Sequence, residues 1–202
     1  MRRLVGRAIS AFCIAVIMFA GCFGSSGKKH YYRIYYRPNP ARVQQITATV
    51  RVKTFDIDKV YRRYNLVYRT SPYEIFYYPN HYWASRPEDM ITDLVYTHLK
   101  EAGLFSDLIL KLDKTPTYEI SGEIIEIDQF DSGDRWYAHL VAVVNLKEFS
   151  TGKILVSHRI DARREVFSPE PVQTVRAFGE ILEKEIETFI QKVAAGLEIE
   201  ER

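Results

Sequence analysis

Two cysteines, five histidines and a short acidic run are the groups in this 202-residue chain with the types to do chemistry. The histidines, at 30, 81, 98, 139 and 158, show no close ligand spacing. His-Glu-x-x-His, Gly-x-Ser-x-Gly and a glycine-rich phosphate loop are all missing. Glu123, Glu126 and Asp128 fall on one predicted strand. A retaining glycosidase needs two carboxylates about 5 Å apart, but such a run reads more simply as a solvated edge. His81 is either a partner contact or metal ligand, or a structural group beside Trp83. His98 and His158 read as satisfied structural groups. The expectation is therefore no catalytic residue, no metal and no enzyme activity.

Cys22 has the most informative neighbours. It closes Met18-Phe19-Ala20-Gly21-Cys22, and small residues directly before a cysteine resemble the bacterial lipobox. Cleavage there falls between Gly21 and Cys22, and the thiol takes diacylglycerol. Phe19 stands where leucine is usual. Upstream, Arg2, Arg3 and Arg7 precede a run from Ala8 to Ala20 that is apolar except for Ser10. That is the charged region and short apolar region of an export signal. The run is shorter than the roughly 20 residues of a spanning helix, which argues against an uncleaved anchor. An ordinary secretory leader is the other alternative. Cys13 would leave with the leader, so no disulfide is expected. Diacylglycerol and an N-acyl group on Cys22 are the only expected cofactor-like groups, and they imply a membrane partner.

Composition narrows the rest. Hydrophobic residues make up 47% and charged residues 27%, ordinary globular values that exclude collagen, coiled-coil and disordered classes. The 28 basic against 26 acidic residues give +2. Removing residues 1–21 removes three arginines and leaves 25 against 26, so the basic surplus belongs to the leader. Tyr31-Tyr32-Arg33, Tyr35-Tyr36-Arg37 and Tyr61-Arg62-Arg63-Tyr64 could stack bases, but an exported protein argues for no nucleic acid. Strand tyrosines with outward arginines, or a binding rim, are the alternatives.

The elements that must carry these residues follow from periodicity. Residues 22–30 read as a Gly/Ser tether ending Lys28-Lys29-His30. Strands are predicted at 31–36, 45–55, 61–69 and 73–78, the last ending at Pro79. A helix starts at Ser85-Arg86-Pro87-Glu88, with Ser85 as cap, and ends at Gly103. Strands follow at 108–112, 118–130, 135–149 and 154–166. A last amphipathic helix opens at Ser168-Pro169-Glu170-Pro171 and stops at Gly196. Residues 197–202 form an acidic tail. The fold class is α+β: a mostly antiparallel sheet of about six to eight strands, with two helices on one face and one domain over residues 31–196. Val141 and Val143, beside His139 and Asn145, lie on the other face, as a docking surface, a lipid groove or an ordinary half-polar face.

Val67-Tyr68-Arg69-Thr70-Ser71-Pro72-Tyr73-Glu74, then Tyr77-Tyr78, His81, Trp83-Ala84, Pro87 and Ala102-Gly103-Leu104-Phe105, resemble the ABC-type transport auxiliary lipoprotein family, the PqiC-like intermembrane transport lipoproteins. The Tyr31-Tyr32 pair and the Ser150-Thr151-Gly152-Lys153 turn add to the likeness. The extra Tyr and Arg around residues 31–37 and the charged insert 58–63 depart from it. The resemblance implies an envelope lipoprotein that serves an MCE-domain lipid transporter, with phospholipid as a candidate cargo. It marks Tyr68, Arg69, Ser71, Pro72, Tyr73, Tyr78, His81 and Trp83 as candidate partner-binding residues. Phe23 after the acylated cysteine, where aspartate would favour inner-membrane retention, favours the outer membrane on its periplasmic side. A homo-oligomer would suit a protein that meets a transporter ring. A stand-alone envelope binding or outer-membrane biogenesis lipoprotein is the alternative.

Overall fold

A computed structural model describes residues 27–41 and 43–200, with the side chains of 198–200 left aside. Cys22 and the rest of the export signal lie outside the described residues. The element order is β1 (His30–Tyr32), β2 (Ile46–Val52), β3 (Asp56–Ile57), β4 (Asn65–Ser71), β5 (Glu74–Trp83), α1 (Pro87–Ala102), β6 (Phe105–Ile109), β7 (Tyr118–Asp131), β8 (Trp136–Glu148), β9 (Ile154–Val166) and α2 (Pro171–Glu200).

Three long strands make the frame. β7, β8 and β9 form an antiparallel meander, with Ile120 opposite Leu146 and Ala142 opposite Ile160. The free edge of β7 then takes three short strands in turn, all parallel to it. Val50–Val52 pair at Tyr118–Ile120, Asp56–Ile57 at Glu123–Ile124, and Tyr68–Arg69 at Gln129–Phe130. β6 adds outside β2, and β5 and then β1 add outside β4. The sheet has nine strands rather than six to eight. The long pairs are antiparallel as expected, while the short N-terminal strands make it mixed.

Side-chain alternation puts Leu140, Ala142, Val144 and Leu146 on one face, all buried. Phe178, Leu182, Ile186, Phe189 and Val193 of α2 supply the opposing stripe, also buried. His158 on this face accepts from Lys192 Nζ (2.9 Å to Nδ1), and its Nε2 lies 2.9 Å from Glu185. It is a satisfied group tying β9 to α2. Gly122 also lies here: a Cβ added to it would stand 2.3 Å from the Phe55 ring, so glycine leaves room for that ring over the sheet.

Several boundaries differ from the periodicity reading, each for a local reason. β1 is only His30–Tyr32; beyond it Ile34 and Tyr36 are buried as the chain crosses α2. Gly179 permits that crossing, because a Cβ there would be 2.8 Å from the Tyr35 carbonyl oxygen. Tyr61 precedes β4 rather than starting it, and its hydroxyl donates to Asp128. β5 runs through Pro79 because the β4–β5 register breaks between Asn65 and Val67. Proline is tolerated in such a bulge, where no ladder N–H is needed. Ser85 does not cap α1. Arg86 is the N-cap residue, without a side-chain cap bond, and Pro87 opens the first turn. Gly103 is left-handed (φ 64°) and ends α1 as expected, with Leu104 buried behind it. The strand expected at 108–112 is β6, three residues earlier. α2 continues through Gly196 to Glu200, so the stretch expected as a tail is partly helix. At Gly196 an added Cβ would be 3.0 Å from Val156 Cγ2. That glycine serves close packing rather than termination.

His98 sits where α1 meets α2, 1% exposed, between the Tyr36 hydroxyl (3.1 Å) and Glu187 (3.4 Å). Burial lowers its pKa below 6.5, although Glu187 and Glu183 pull the other way. A lowered folded-state value means the unfolded chain binds the proton first. This part of the stability is present above pH about 6.5 and is lost as pH falls toward the folded-state value. Tm should drop between pH 7 and pH 5, and His98→Gln should flatten that slope whatever it does to Tm at pH 7. An unchanged slope would assign the acid sensitivity to other groups.

Candidate functional site

The motif residues sit mainly on β4, β5 and the turn between them. Adjacent residues of a strand face opposite ways. Tyr68 and Arg69 therefore start two different clusters.

Tyr68 shares a register position with Gln129, whose side chain accepts from Thr174 of α2, so it faces the helix side. Its ring lies 5.0 Å from Phe76 and 4.7 Å from Tyr78. Tyr78 meets His81 edge-on at 5.5 Å, and His81 stacks on Tyr32 at 5.6 Å and on His30 at 5.1 Å. The Tyr32 hydroxyl lies 2.7 Å from His81 Nδ1. This is a ladder of six rings across β1, β5 and β4, the kind of cross-strand pairing that stabilises sheets. Burial pushes Tyr78 up to about 12. Burial, with His30 beside it, lowers the pKa of His81. Tyr68, Tyr78 and His81 are thus brought together, and His30, Tyr32 and Phe76 join them. His30 and Tyr32 join through the pairing of β1 with β5, which brings together residues about 50 positions apart, whereas Phe76 lies opposite Tyr68 across the β4–β5 turn.

Arg69 points to the other face, beside Phe130 in register. Its Nη2 donates to Glu126 at 2.5 Å and lies 3.0 Å from His139 Nδ1. Its Nε stands 2.8 Å from Asp128 Oδ2, though not in hydrogen-bonding alignment. The same Nδ1 stands 3.1 Å from Glu126 Oε2, and Nε2 faces Asp161 at 3.7 Å. The Tyr61 hydroxyl donates to Asp128 Oδ2 at 2.7 Å. Burial works against the Arg69 charge, but Asp128, Tyr61 and Glu126 outweigh it and hold its pKa above the ordinary value. Burial, then Asp128, pushes Tyr61 up as well.

Glu126 and Asp128 are not a solvated edge. Ile120 and Ile124 face the helices, but the β7–β8 register shifts between Ile124 and Glu126. Past that bulge Ile127 and Gln129 take over the helix side, and Glu126 and Asp128 turn together to the opposite face. Asp128 is 1% exposed and His139 3%. Donor atoms of Glu126, Asp128 and His139 fall within 4.8 Å of one another, close enough to hold a cation. The cation in place is the Arg69 guanidinium. Above it opens a cleft of about 400 Å³, walled by Pro72, Phe130, Val141, Arg159 and Arg163.

The remaining motif residues separate. Trp83 is 3% exposed and packs in the core, 6.2 Å from the Phe178 ring, so it is no surface contact. Ser71 accepts from the Tyr73 N–H in the β4–β5 turn. Pro72 is exposed, and the Tyr73 side chain projects from the turn, 94% exposed.

The architecture defines an open-sheet α+β domain whose motif residues shape one strand pair and its turn. The ABC-type transport auxiliary lipoprotein component family matches over residues 34–187, and the chain belongs to it. Membership implies association with the cell envelope and a transporter partner. Among solved structures, protein XCC0632 from Xanthomonas campestris, of family DUF330, is 17% identical with a TM-score of 0.72 over 84% of this chain and 99% of that one. The hypothetical protein CT253 from Chlamydia trachomatis is 8% identical, with a TM-score of 0.51 over 75% of this chain and 98% of that one. At these identities the likeness is one of fold. No curated protein matches the sequence.

Proposed function

We propose that the chain is the auxiliary lipoprotein subunit of an MCE-type ABC lipid transport system. It is held by an acylated Cys22 on the periplasmic side of the outer membrane and moves lipid between the two membranes together with its partner. The observation that carries this is the family match over residues 34–187, joined to the Ala20-Gly21-Cys22 ending of the leader. Phospholipid is the proposed cargo of the system. The domain contributes binding and positioning rather than catalysis, and works as a homo-oligomer around the transporter. The buried Arg69 cluster supports a structural part for that motif residue. The Tyr68–Tyr78–His81 ladder is the surface offered for recognition.

The test is mild crosslinking of native envelopes followed by affinity purification of the acylated protein. An MCE-domain protein should be recovered with it, and the neighbouring reading frames should encode that protein, an ATPase and a permease. Recovery of no MCE protein would return the chain to a stand-alone envelope binding or assembly lipoprotein.

A further inference from the structure

Five of the eleven exposed large apolar side chains among the described residues, including the two most exposed, gather at one end of the sheet. β4 and β7 end, β8 begins and β9 ends at one end of the sheet. Arg69 is level with Phe130, Asp131 with Trp136, and Trp136 with Val166. From that end project Tyr73 (94% exposed) and Phe167 (100% exposed), with Ile75, Phe76 and Val172 partly exposed beside them. Tyr73 caps the β4–β5 turn, and Phe167 follows the last residue of β9. No packing accounts for a fully exposed phenylalanine, and aromatic rings gathered at one end suit a surface that is apolar on one side and wet on the other.

The direction of the tether says what that surface meets. β1 runs parallel to β5, with His30 at His81 and Tyr32 at Trp83. Residues 27–29 therefore run back along β5 toward Glu74. Gly27 is already placed against the Asn80 amide. Cys22 lies eight positions before His30, and His81 lies eight positions after Tyr73. A chain of that length spans at most ~28 Å. The β4–β5 irregularity shortens β5, so that Glu74 to Tyr82 runs beside only the six steps from Asn65 to Ser71, ~20 Å. The described residues 27–29 head toward the Tyr73 turn, and the length of chain to Cys22 is enough to reach it. Among the described residues no helix is long and apolar enough to cross a membrane. A bilayer that holds Cys22 thus meets the domain at this end.

We infer that the end of the sheet carrying Tyr73 and Phe167 lies on the bilayer that holds Cys22, with both rings in its interface. The inference rests on the proposed acylation of Cys22. It fixes the orientation of the domain: the opposite end, where Ile154 projects beside Lys147, faces away from the membrane. The exposed charges at this end are of both signs: Glu74, Asp134 and Glu165, with Arg135, Arg164 and Arg176, the last two lining the same hollow as Phe167. The rings themselves need no charged lipid, and a zwitterionic bilayer isolates their contact.

The test uses the mature acylated protein, purified from membranes and reconstituted in phosphatidylcholine vesicles. Cys22 is acylated, so Tyr73→Cys, Phe167→Cys and Ile154→Cys each offer one thiol for an environment-sensitive fluorophore. Tyr73 and Phe167 are too exposed for their replacement to unfold the domain. Probes at 73 and 167 should shift to the blue and be quenched several-fold more by doxyl-labelled lipid than the probe at 154. Raising salt should leave the difference intact. Equal, water-like probes at all three positions on vesicle-bound protein would overturn the orientation. Shielding from iodide without quenching by doxyl lipid would overturn it in favour of a protein contact. Labelling of Cys22 itself would overturn the anchor and the inference with it, by a readout distinct from the other two.

Discussion

Arg69→Met should lower the unfolding free energy by about 3–5 kcal/mol, the usual cost of removing one partner from a buried ion cluster. Arg69 and Asp128 are 8% and 1% exposed. Without the guanidinium, Asp128 keeps the Tyr61 hydroxyl and no cation. Glu126 then faces Asp128 across the space the arginine filled, and His139 loses the guanidinium that lay 3.0 Å from its Nδ1. The urea midpoint should fall with an unchanged m-value, as for a loss of stability without a change in compactness. Adding Asp128→Asn should restore part of the loss, because the second change removes the charge that the first left unpaired. Arg159→Met, at an exposed position on the rim of the same cleft, should stay within about 0.5 kcal/mol of the parent. A loss below about 1 kcal/mol for Arg69→Met would mean that water entering the cleft replaces the arginine.

Alternation along β7 reads Ile120, Gly122, Ile124 on one side, and extending it would leave Glu126 and Asp128 facing the helices, which is no place for two carboxylates. The solvated edge expected for them is not what forms. The fold resolves the conflict with one extra residue, and a bulge has no reliable signature in a stretch such as Ile124-Ile125-Glu126-Ile127. The meander itself was legible, because long antiparallel strands joined by short turns write their period plainly. So were both helices, from their apolar stripes and the Gly103 stop. The parallel docking of β2, β3 and β4 along one edge of β7 was not, since nothing local encodes which distant edge a short strand will join. The motif residues divide along the same line. Their neighbours in sequence showed that Tyr68 and Arg69 must face apart. Their partners Gln129, Glu126, Asp128 and His139 lie 57 to 70 positions away. Trp83 shows the converse limit, since an aromatic residue inside a recognisable motif was a core residue all along.

Cys22→Ala should move the protein from the membrane fraction to the soluble periplasmic fraction and abolish incorporation of labelled palmitate. Each buried methylene of an acyl chain contributes about 0.8 kcal/mol, so one myristoyl chain holds a protein only marginally while two or more hold it stably. A triacylated cysteine is far into the stable regime. The two aromatic rings at the membrane-facing end offer much less: full burial of a side chain of that size is worth about 1.5–3 kcal/mol, and an interface buries it in part. Tyr73 and Phe167 can therefore orient a tethered domain but cannot hold an untethered one. The variant should still fold, with an unchanged urea midpoint, because the described core begins at Ile34. It should also crosslink less to its transporter, since the tether no longer confines it to the surface where the partner is met. Unchanged palmitate labelling would sink the lipobox reading. Lost labelling with the protein still on membranes would mean that the domain holds the envelope through a protein partner strong enough to replace three acyl chains.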